Sequence, residues 1–381
     1  MAIELIDRLA ASLNDEEVTY CHWKSNFSLA ESLAGKIDLD LLVERRSFSR
    51  VLAILAQHGF KPATVRFGTS TPGIHHFYGL DPRSGLLIHV HLFNRVLTGE
   101  SFVKSHLLPF EAMLFENTYM IDHIRVPSKR AELVLFILRI FIKYGSPLDL
   151  VYLRRSADEI KAELDWLLED GDIEESVRLL KRYCPVVEES LFVRCVDAIR
   201  QGEPLSQRLR LARQMRSRLR IYSVDGPAAT ALGYAQLLWE QGVRRLRRDT
   251  KNKRLEAGGA LIAFVGPEAT GKSTLVSETG RWLGQVFAVS SVHAGKPPST
   301  WLTAPLNLVL PWVRELWPRL RTSRLEGHVA VEQEIQTPDR IQGFSGLVYA
   351  LRSVTLAWDR RQLLLRAGRR AAKDRIVICD R

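Results

Sequence analysis

The stretch Ala260–Thr274 (ALIAFVGPEATGKST) constrains this chain more than any other. Leu261–Val265 are apolar, which predicts a buried parallel strand. Gly266, four further residues, Gly271, Lys272 and Ser273 follow, the spacing G-x-x-x-x-G-K-[ST] of a loop that cradles phosphates. Such a loop turns its backbone N–H groups inward. The glycines allow backbone angles and close approaches that a side chain would block. A helix starting near Lys272 and running over Thr274–Trp282 aims its positive dipole end at the phosphates. Lys272 is placed to reach the β- and γ-phosphates and Ser273 to ligate Mg²⁺. The spacing therefore predicts a nucleotide site, with ATP and Mg²⁺ as ligands, formed by Gly266, Pro267, Glu268, Ala269, Thr270, Gly271, Lys272, Ser273 and Thr274.

The rest of the chain is built for aqueous solution. Its 381 residues suit two or three domains. Met1–Asp15 carries acidic residues and has no long apolar run, so it is no signal peptide. No run of eighteen uncharged apolar residues exists, which argues against a membrane span. Cys21, Cys184, Cys195 and Cys379 show no metal or disulfide spacing, and a reducing cytoplasm fits them. A net charge of +11 favours anionic partners: nucleotides, nucleic acid or a membrane surface.

In the first third, Ile3–Leu13 has helical spacing and Val18–Trp23 reads as a strand. Asp38 and Asp40 alternate with apolar residues in Gly35–Val43. On a strand they face one side, where two carboxylates can hold a divalent metal carrying a nucleotide. A half-exposed strand with alternating Asp is the plainer reading of the same pattern. This arrangement resembles the nucleotidyltransferase fold, in which a helix and a Gly-Ser turn precede Asp-x-Asp and a later strand brings a third carboxylate. Here Lys24-Ser25 stands at the Gly-Ser turn. The later strand is expected at Leu86–Phe93, with His89, followed by His91, at the acidic position. A histidine can ligate a metal, and His89 and His91 share a strand face. His75, His76 and His106 read as surface or packing residues.

Ser128–Tyr144 predicts a helix with one wide apolar face, capped by Ser128. Ser156–Leu168, Ile173–Tyr183 and Val186–Arg200 predict further amphipathic helices, with a break at Asp170–Asp172. Gln207–Arg220 is arginine-rich, and Arg244, Arg245, Arg247 and Arg248 form a second basic cluster. Solvated helix faces account for both. Sparse aromatic interleaving argues against nucleic acid as a partner. Residues 1–127 thus form a predicted α+β domain and 128–250 a helical segment. Residues 251–259 are expected to be a linker and 260–381 a phosphate-binding α/β domain.

Within that last domain Val286–Val292 is the expected second strand, running into a turn-rich loop at His293–Pro298 where Lys296 could meet an anion. Trp301–Pro318 is apolar and broken by prolines. It suits a cover over a site or contact with a membrane surface. Leu347–Arg369 has helical spacing and contains Asp359-Arg360. Arg375–Arg381 reads as a buried strand ending in Asp380-Arg381, an acidic tip suited to Mg²⁺.

These features carry a second resemblance. From about Gly258 to Arg381 the chain resembles the thymidylate kinase-like P-loop nucleoside monophosphate kinases. Its loop GPEATGKST matches that family's glycine-rich loop, with Glu268 in the acidic place and Ala269 for a glycine. Ala357–Arg360 is similar to the family's Ala-Asp-Arg helix, and VICDR to its Asp-Arg motif. The resemblance implies that Arg360 and Arg381 hold an acceptor phosphate and that Asp380 positions metal or acceptor. No arginine lies among Pro267–Thr270, so the transition-state arginine is expected in a lid after Arg381, in a domain expected to be truncated with an incomplete sheet. The implied function is transfer of the ATP γ-phosphate to a nucleoside monophosphate or similar small phosphorylated acceptor. The whole arrangement also resembles bacterial proteins associated with surface polysaccharides. That implies, as alternatives, a nucleotide-gated regulator with a membrane-surface or polysaccharide-assembly partner, or a nucleotidyltransferase using Asp38 and Asp40.

Overall fold

The computed structural model describes residues 3–65, 73–99, 105–144, 153, 155–169, 172–224, 253–267, 270–295, 297–301, 303–305 and 344–380, with isolated positions between 232 and 246. The chain is a mixed α/β protein with several sheets. It divides into two compact units, Met1–Lys251 and Asn252–Arg381. No described helix is long and apolar enough to cross a membrane.

The first unit begins with helix α1 (Glu4–Asp15), whose Leu5, Ile6, Leu9, Ala10 and Leu13 are buried at helical spacing. Strands β1 (Tyr20–His22), β2 (Leu39–Val43), β3 (Lys61–Val65), β4 (Ile74–Leu80) and β5 (Leu87–Phe93) form a sheet in the order β1-β2-β5-β4-β3. Strands β2 and β5 are parallel, and the other neighbours are antiparallel. Helix α2 (Leu29–Leu33) precedes β2 and helix α3 (Phe48–Gln57) follows it.

Period-two alternation sorts the sheet's residues. Leu39, Leu41 and Val43 of β2, with Ile88, Val90 and Leu92 of β5, pack into one core with α1 and α3. The alternate residues face the other way. Of these, Leu42 and Phe93 enter a second core with Trp23 and the helices described next. Asp38, Asp40, His89 and His91 lie earlier on the same face.

Short hairpins β6 (Val96–Thr98)/β7 (His106–Leu108) and β8 (Thr118–Ile121)/β9 (Ile124–Pro127) flank helix α4 (Glu111–Glu116). Helix α5 (Lys129–Lys143) follows. Its Ser128 cap accepts from Ala131 N at 3.3 Å. Residues 131–138 of α5 are buried all round, so it is a core helix where the sequence predicts one wide apolar face. Helices α6 (Ala157–Glu169), α7 (Ile173–Tyr183), α8 (Glu189–Arg200) and α9 (Leu205–Arg218) pack around it. The helical segment therefore shares a core with the sheet and belongs to the same compact unit. In the arginine-rich α9, Leu211, Ala212 and Met215 are buried, while Arg208 donates to the Tyr144 hydroxyl at 2.8 Å and Arg218 pairs with Glu188 at 2.6 Å. The cluster Arg244–Arg248 lies outside the residues whose side chains are described. All four cysteines are free and buried.

The second unit opens with β10 (Lys253–Leu255), inside the stretch expected to be a linker; its Lys253 N–H donates to the Val286 carbonyl at 2.8 Å. Strands β11 (Ala260–Phe264), β12 (Val289–His293) and β13 (Ile376–Asp380) form a wholly parallel sheet in the order β11-β13-β12. Helix α10 (Lys272–Gly284) leaves the glycine loop and α11 (Phe344–Ala372) leads into β13. Val292, Val377 and Cys379 meet Leu363, Ala367 and Ala371 of α11. The alternate Ile378 points to the opposite face, its Cδ1 3.8 Å from where a Cβ on Gly280 of α10 would stand.

The central strand β13 is buried, as its apolar run predicts. Strand β11 departs from expectation. It is parallel, but Leu261 is 49% exposed and Val265, just beyond it, 81%. Its position at the edge of the described sheet explains this, since an edge strand has a neighbour on one side only.

Candidate functional site

The glycine loop spans Phe264 to Lys272 between β11 and α10. Gly271 has φ +78° and forms the N-terminal cap of α10, a left-handed turn that a side chain disfavours. At Gly266 a Cβ would lie 3.4 Å from Thr270 Oγ1, an ordinary contact distance, so the loop's conformational demand for glycine falls on Gly271. Lys272 folds back over the loop, with its Nζ donating to the Pro267 carbonyl and lying 3.5 Å from Thr270 Oγ1. Thr270 Oγ1 in turn donates to the Pro267 carbonyl at 2.9 Å. The lysine thus sits on neutral oxygens at the mouth of a helix N-terminus, where phosphate oxygens are the stronger acceptors. Ser273 and Thr274 occupy the exposed first turn of α10. Glu268 and Ala269 lie outside the described residues.

Asp380 stands at the carboxyl end of β13, in register with Phe264 of β11 on one side and His293 of β12 on the other. Its Oδ1 accepts from His293 Nδ1. Arg360, on α11, donates from Nε to the Ala294 carbonyl at 3.3 Å. Its neighbour Asp359 is buried and fastens the 300–303 turn. It accepts from Thr300 N at 3.0 Å and from Thr303 Oγ1 at 2.7 Å. Lys272, Asp380 and Arg360 thus all lie in the second unit, the first two beside neighbouring strand ends. Arg381 and Lys296 lie outside the described residues, as does most of Trp301–Pro318.

The first unit carries a separate polar cluster. Register sets Asp40 opposite His91, His91 opposite His76, and His89 opposite Tyr78. Asp38 Oδ1 accepts from His89 Nδ1 at 2.6 Å. Asp40 Oδ1 accepts from His91 Nδ1 at 3.1 Å and from Lys24 Nζ at 3.0 Å. His76 Nδ1 lies 3.2 Å from His89 Nε2, and the Tyr78 ring stacks on His89 at 4.2 Å. Lys24 also rests over the Phe93 ring at 4.7 Å.

Burial alone would raise the Asp40 carboxyl, but Lys24 and His91 outweigh it and hold the group well below the usual carboxylate range. Asp38 is lowered in the same way, with His89 overcoming the effect of burial. Burial lowers Lys24, with Asp40 opposing, and burial raises the Tyr78 hydroxyl. Both carboxylates are therefore anionic and already engaged by N–H donors. Ser25, at the place of the serine in a Gly-Ser turn, adopts φ +57°.

His76 corrects the sequence reading. Its residue type and turn-rich setting predict a surface or packing residue, whereas it lies in the cluster with His89 and His91. A signal was available: counting back from the Asp81–Gly85 turn pairs Leu80 with Leu87 and hence His76 with His91. His75 packs on Phe48 at 4.9 Å, and His106 is buried beside Ser105 Oγ at 2.9 Å; both are packing residues as expected.

A second buried polar group, which local sequence pattern does not reveal, lies in the same unit. Glu132 of α5 is buried, its Oε1 accepting from Asn26 N at 2.9 Å and its Oε2 from Asn26 Nδ2 at 2.8 Å. Asn26 Oδ1 accepts from His22 Nδ1 at 2.6 Å. Burial pushes the Glu132 carboxyl up to about 7, against the lowering effect of Asn26.

No family model matches the chain, and no curated protein matches it either. Among solved structures, the crystal structure of JHP933 from Helicobacter pylori is similar at a TM-score of 0.25 and 11% identity, over 56% of this chain and 93% of that one. At that TM-score the likeness defines no shared fold.

Proposed function

We propose that the second unit is an ATP-dependent phosphotransferase that passes the γ-phosphate to a small phosphorylated acceptor, of which a nucleoside monophosphate is the leading candidate. The observation that carries this reading is the loop itself. A parallel strand, a glycine loop with Lys272 folded onto it, and a helix beginning at Lys272 stand beside a strand that ends in Asp380.

The chemistry asks for positioning and charge neutralisation. The loop N–H groups and Lys272 would hold the β- and γ-phosphates. Ser273 and Asp380 are oxygen donors suited to Mg²⁺, which would supply charge neutralisation on the transferred group. An acceptor oxygen forms the new P–O bond as the β–γ bond breaks and ADP leaves. Arg360 supplies cationic charge for the acceptor phosphate, a role taken from the resemblance to thymidylate kinase-like enzymes.

A second reading is a nucleotide-gated regulator without turnover. It is favoured by the engagement of Asp380 and Arg360 with the 293–294 loop. One experiment separates the two: ADP formation from Mg-ATP with a panel of nucleoside monophosphates, with Lys272→Ala as control. Acceptor-dependent ADP that the variant loses by about 10²-fold or more supports the kinase. ATP binding without acceptor-dependent ADP supports the regulator. Turnover equal in both proteins overturns a role for the loop.

A further inference from the structure

We propose that His76, His89 and His91 hold a Zn²⁺ ion in the first unit, with Asp38 and Asp40 as the positioning residues behind two of the ligands. The geometry begins with the carboxylates. An ionised carboxylate only accepts hydrogen bonds. Asp38 therefore takes its bond from a protonated Nδ1 of His89, at 2.6 Å, and Asp40 from a protonated Nδ1 of His91, at 3.1 Å. In a neutral imidazole this leaves Nε2 of each ring with the lone pair that a metal requires. Carboxylate, histidine and metal in series is the arrangement that fixes the tautomer and raises the basicity of a ligating histidine.

The ligand atoms are grouped accordingly. One ring nitrogen from each of His76, His89 and His91 lies within 4.8 Å of the others. The closest pair, His76 Nδ1 and His89 Nε2, is 3.2 Å apart. Two nitrogens bound tetrahedrally to one zinc ion at about 2.0–2.1 Å stand about 3.3 Å apart, so this pair already has the required spacing. The three histidines come from two adjacent antiparallel strands whose register sets His76 directly opposite His91. Backbone pairing therefore fixes their positions.

Ligand chemistry selects the ion. Mg²⁺ and Ca²⁺ take oxygen ligands, whereas the three grouped donors here are ring nitrogens, and one oxygen of each carboxylate already accepts from Lys24 or a histidine N–H. Imidazole nitrogens suit zinc and its neighbours in the first transition series. Three protein nitrogens leave a fourth position for water or substrate, the pattern of a reactive rather than a purely structural zinc site.

The test uses the whole chain without an affinity tag, stripped with a chelator and titrated with Co²⁺ as a spectroscopic stand-in for Zn²⁺. The proposal expects one Co²⁺ per chain with the intense visible bands of a four-coordinate ion, displaced by Zn²⁺. His76→Gln and His91→Gln should each weaken binding by at least about 100-fold. Asp38→Asn and Asp40→Asn should weaken it about 10- to 100-fold and shift the bands while keeping four-coordination. Circular dichroism of each stripped variant establishes that it is folded. The proposal is overturned by a folded wild-type chain giving only the pale spectrum of six-coordinate Co²⁺. It is equally overturned if folded histidine variants bind as the wild type does, or if the aspartate variants abolish binding while the histidine variants leave it intact.

Discussion

Each unit pairs carboxylates with histidines across parallel strands, in opposite surroundings. In the first, Asp40 is 15% exposed and sits among Lys24, His91 and aromatic rings, at the start of β2. In the second, Asp380 at the end of β13 is as well covered, at 16% exposed, but its partner His293 is 56% exposed where His91 is 19%. Low surrounding polarizability strengthens charge interactions in the first site, whereas solvent screens those of the second. The first unit thus stores its charges in fixed arrangements made by packing. The second holds Asp380 through a histidine that faces solvent.

Glu132 gives the largest expected effect on that contrast. Its carboxyl is raised to about 7 in the folded protein from an ordinary value of 4.5. The folded state therefore binds this proton more tightly than the unfolded state. The resulting stabilisation is complete below pH 4.5 and is lost as pH rises to about 7, on the order of 3 kcal/mol in all. Glu132→Gln keeps an acceptor for the Asn26 N–H and cannot ionise. Its stability relative to wild type should rise between pH 4.5 and 7, measured by urea unfolding at each pH. A constant difference between the two curves would show that the first unit does not hold this charge in a dry site.

Asp359 sharpens the comparison, because it is a carboxylate of the second unit held in the manner of the first. Asp359→Ala removes the acceptor of Thr300 N and Thr303 Oγ1 and should cost roughly 1–3 kcal/mol. Trp301 lies exposed within that turn. Chymotryptic cleavage there should accelerate in the variant, while cleavage within residues 1–251 stays unchanged. Equal acceleration across both units would mean that Asp359 supports more than its own turn.

The same contrast explains what the sequence made legible. The buried strand β13 and helices α7 and α10 follow from local patterns, because apolar runs and spacing are short-range properties. Asp38 and Asp40 share a face by period two alone. Partnership is different. The exposure of β11 depends on which strands flank it, and the place of His76 depends on hairpin register. Glu132 was concealed inside an apolar helix, since only Asn26, 106 residues earlier, explains how a glutamate is tolerated there. Lys24 read as a departure from a Gly-Ser turn. Its role beside Asp40 emerges once β1 and β2 are paired.

The smallest expected effect concerns His293. If the second unit presents Asp380 for capture by Mg²⁺, then His293 and the ion compete for the same carboxylate oxygen. Removing the histidine should relieve that competition. An exposed pair of this kind is worth roughly 0.5–1 kcal/mol, so His293→Ala should lower the Mg²⁺ concentration for half-maximal ATP binding by roughly two- to fivefold. The same substitution would have the opposite sign if His293 held Asp380 in its working position, as His91 and Asp40 hold each other in the first unit. A raised Mg²⁺ requirement would therefore break the contrast, by showing that the exposed site is also fixed by its own side chains before any ligand arrives.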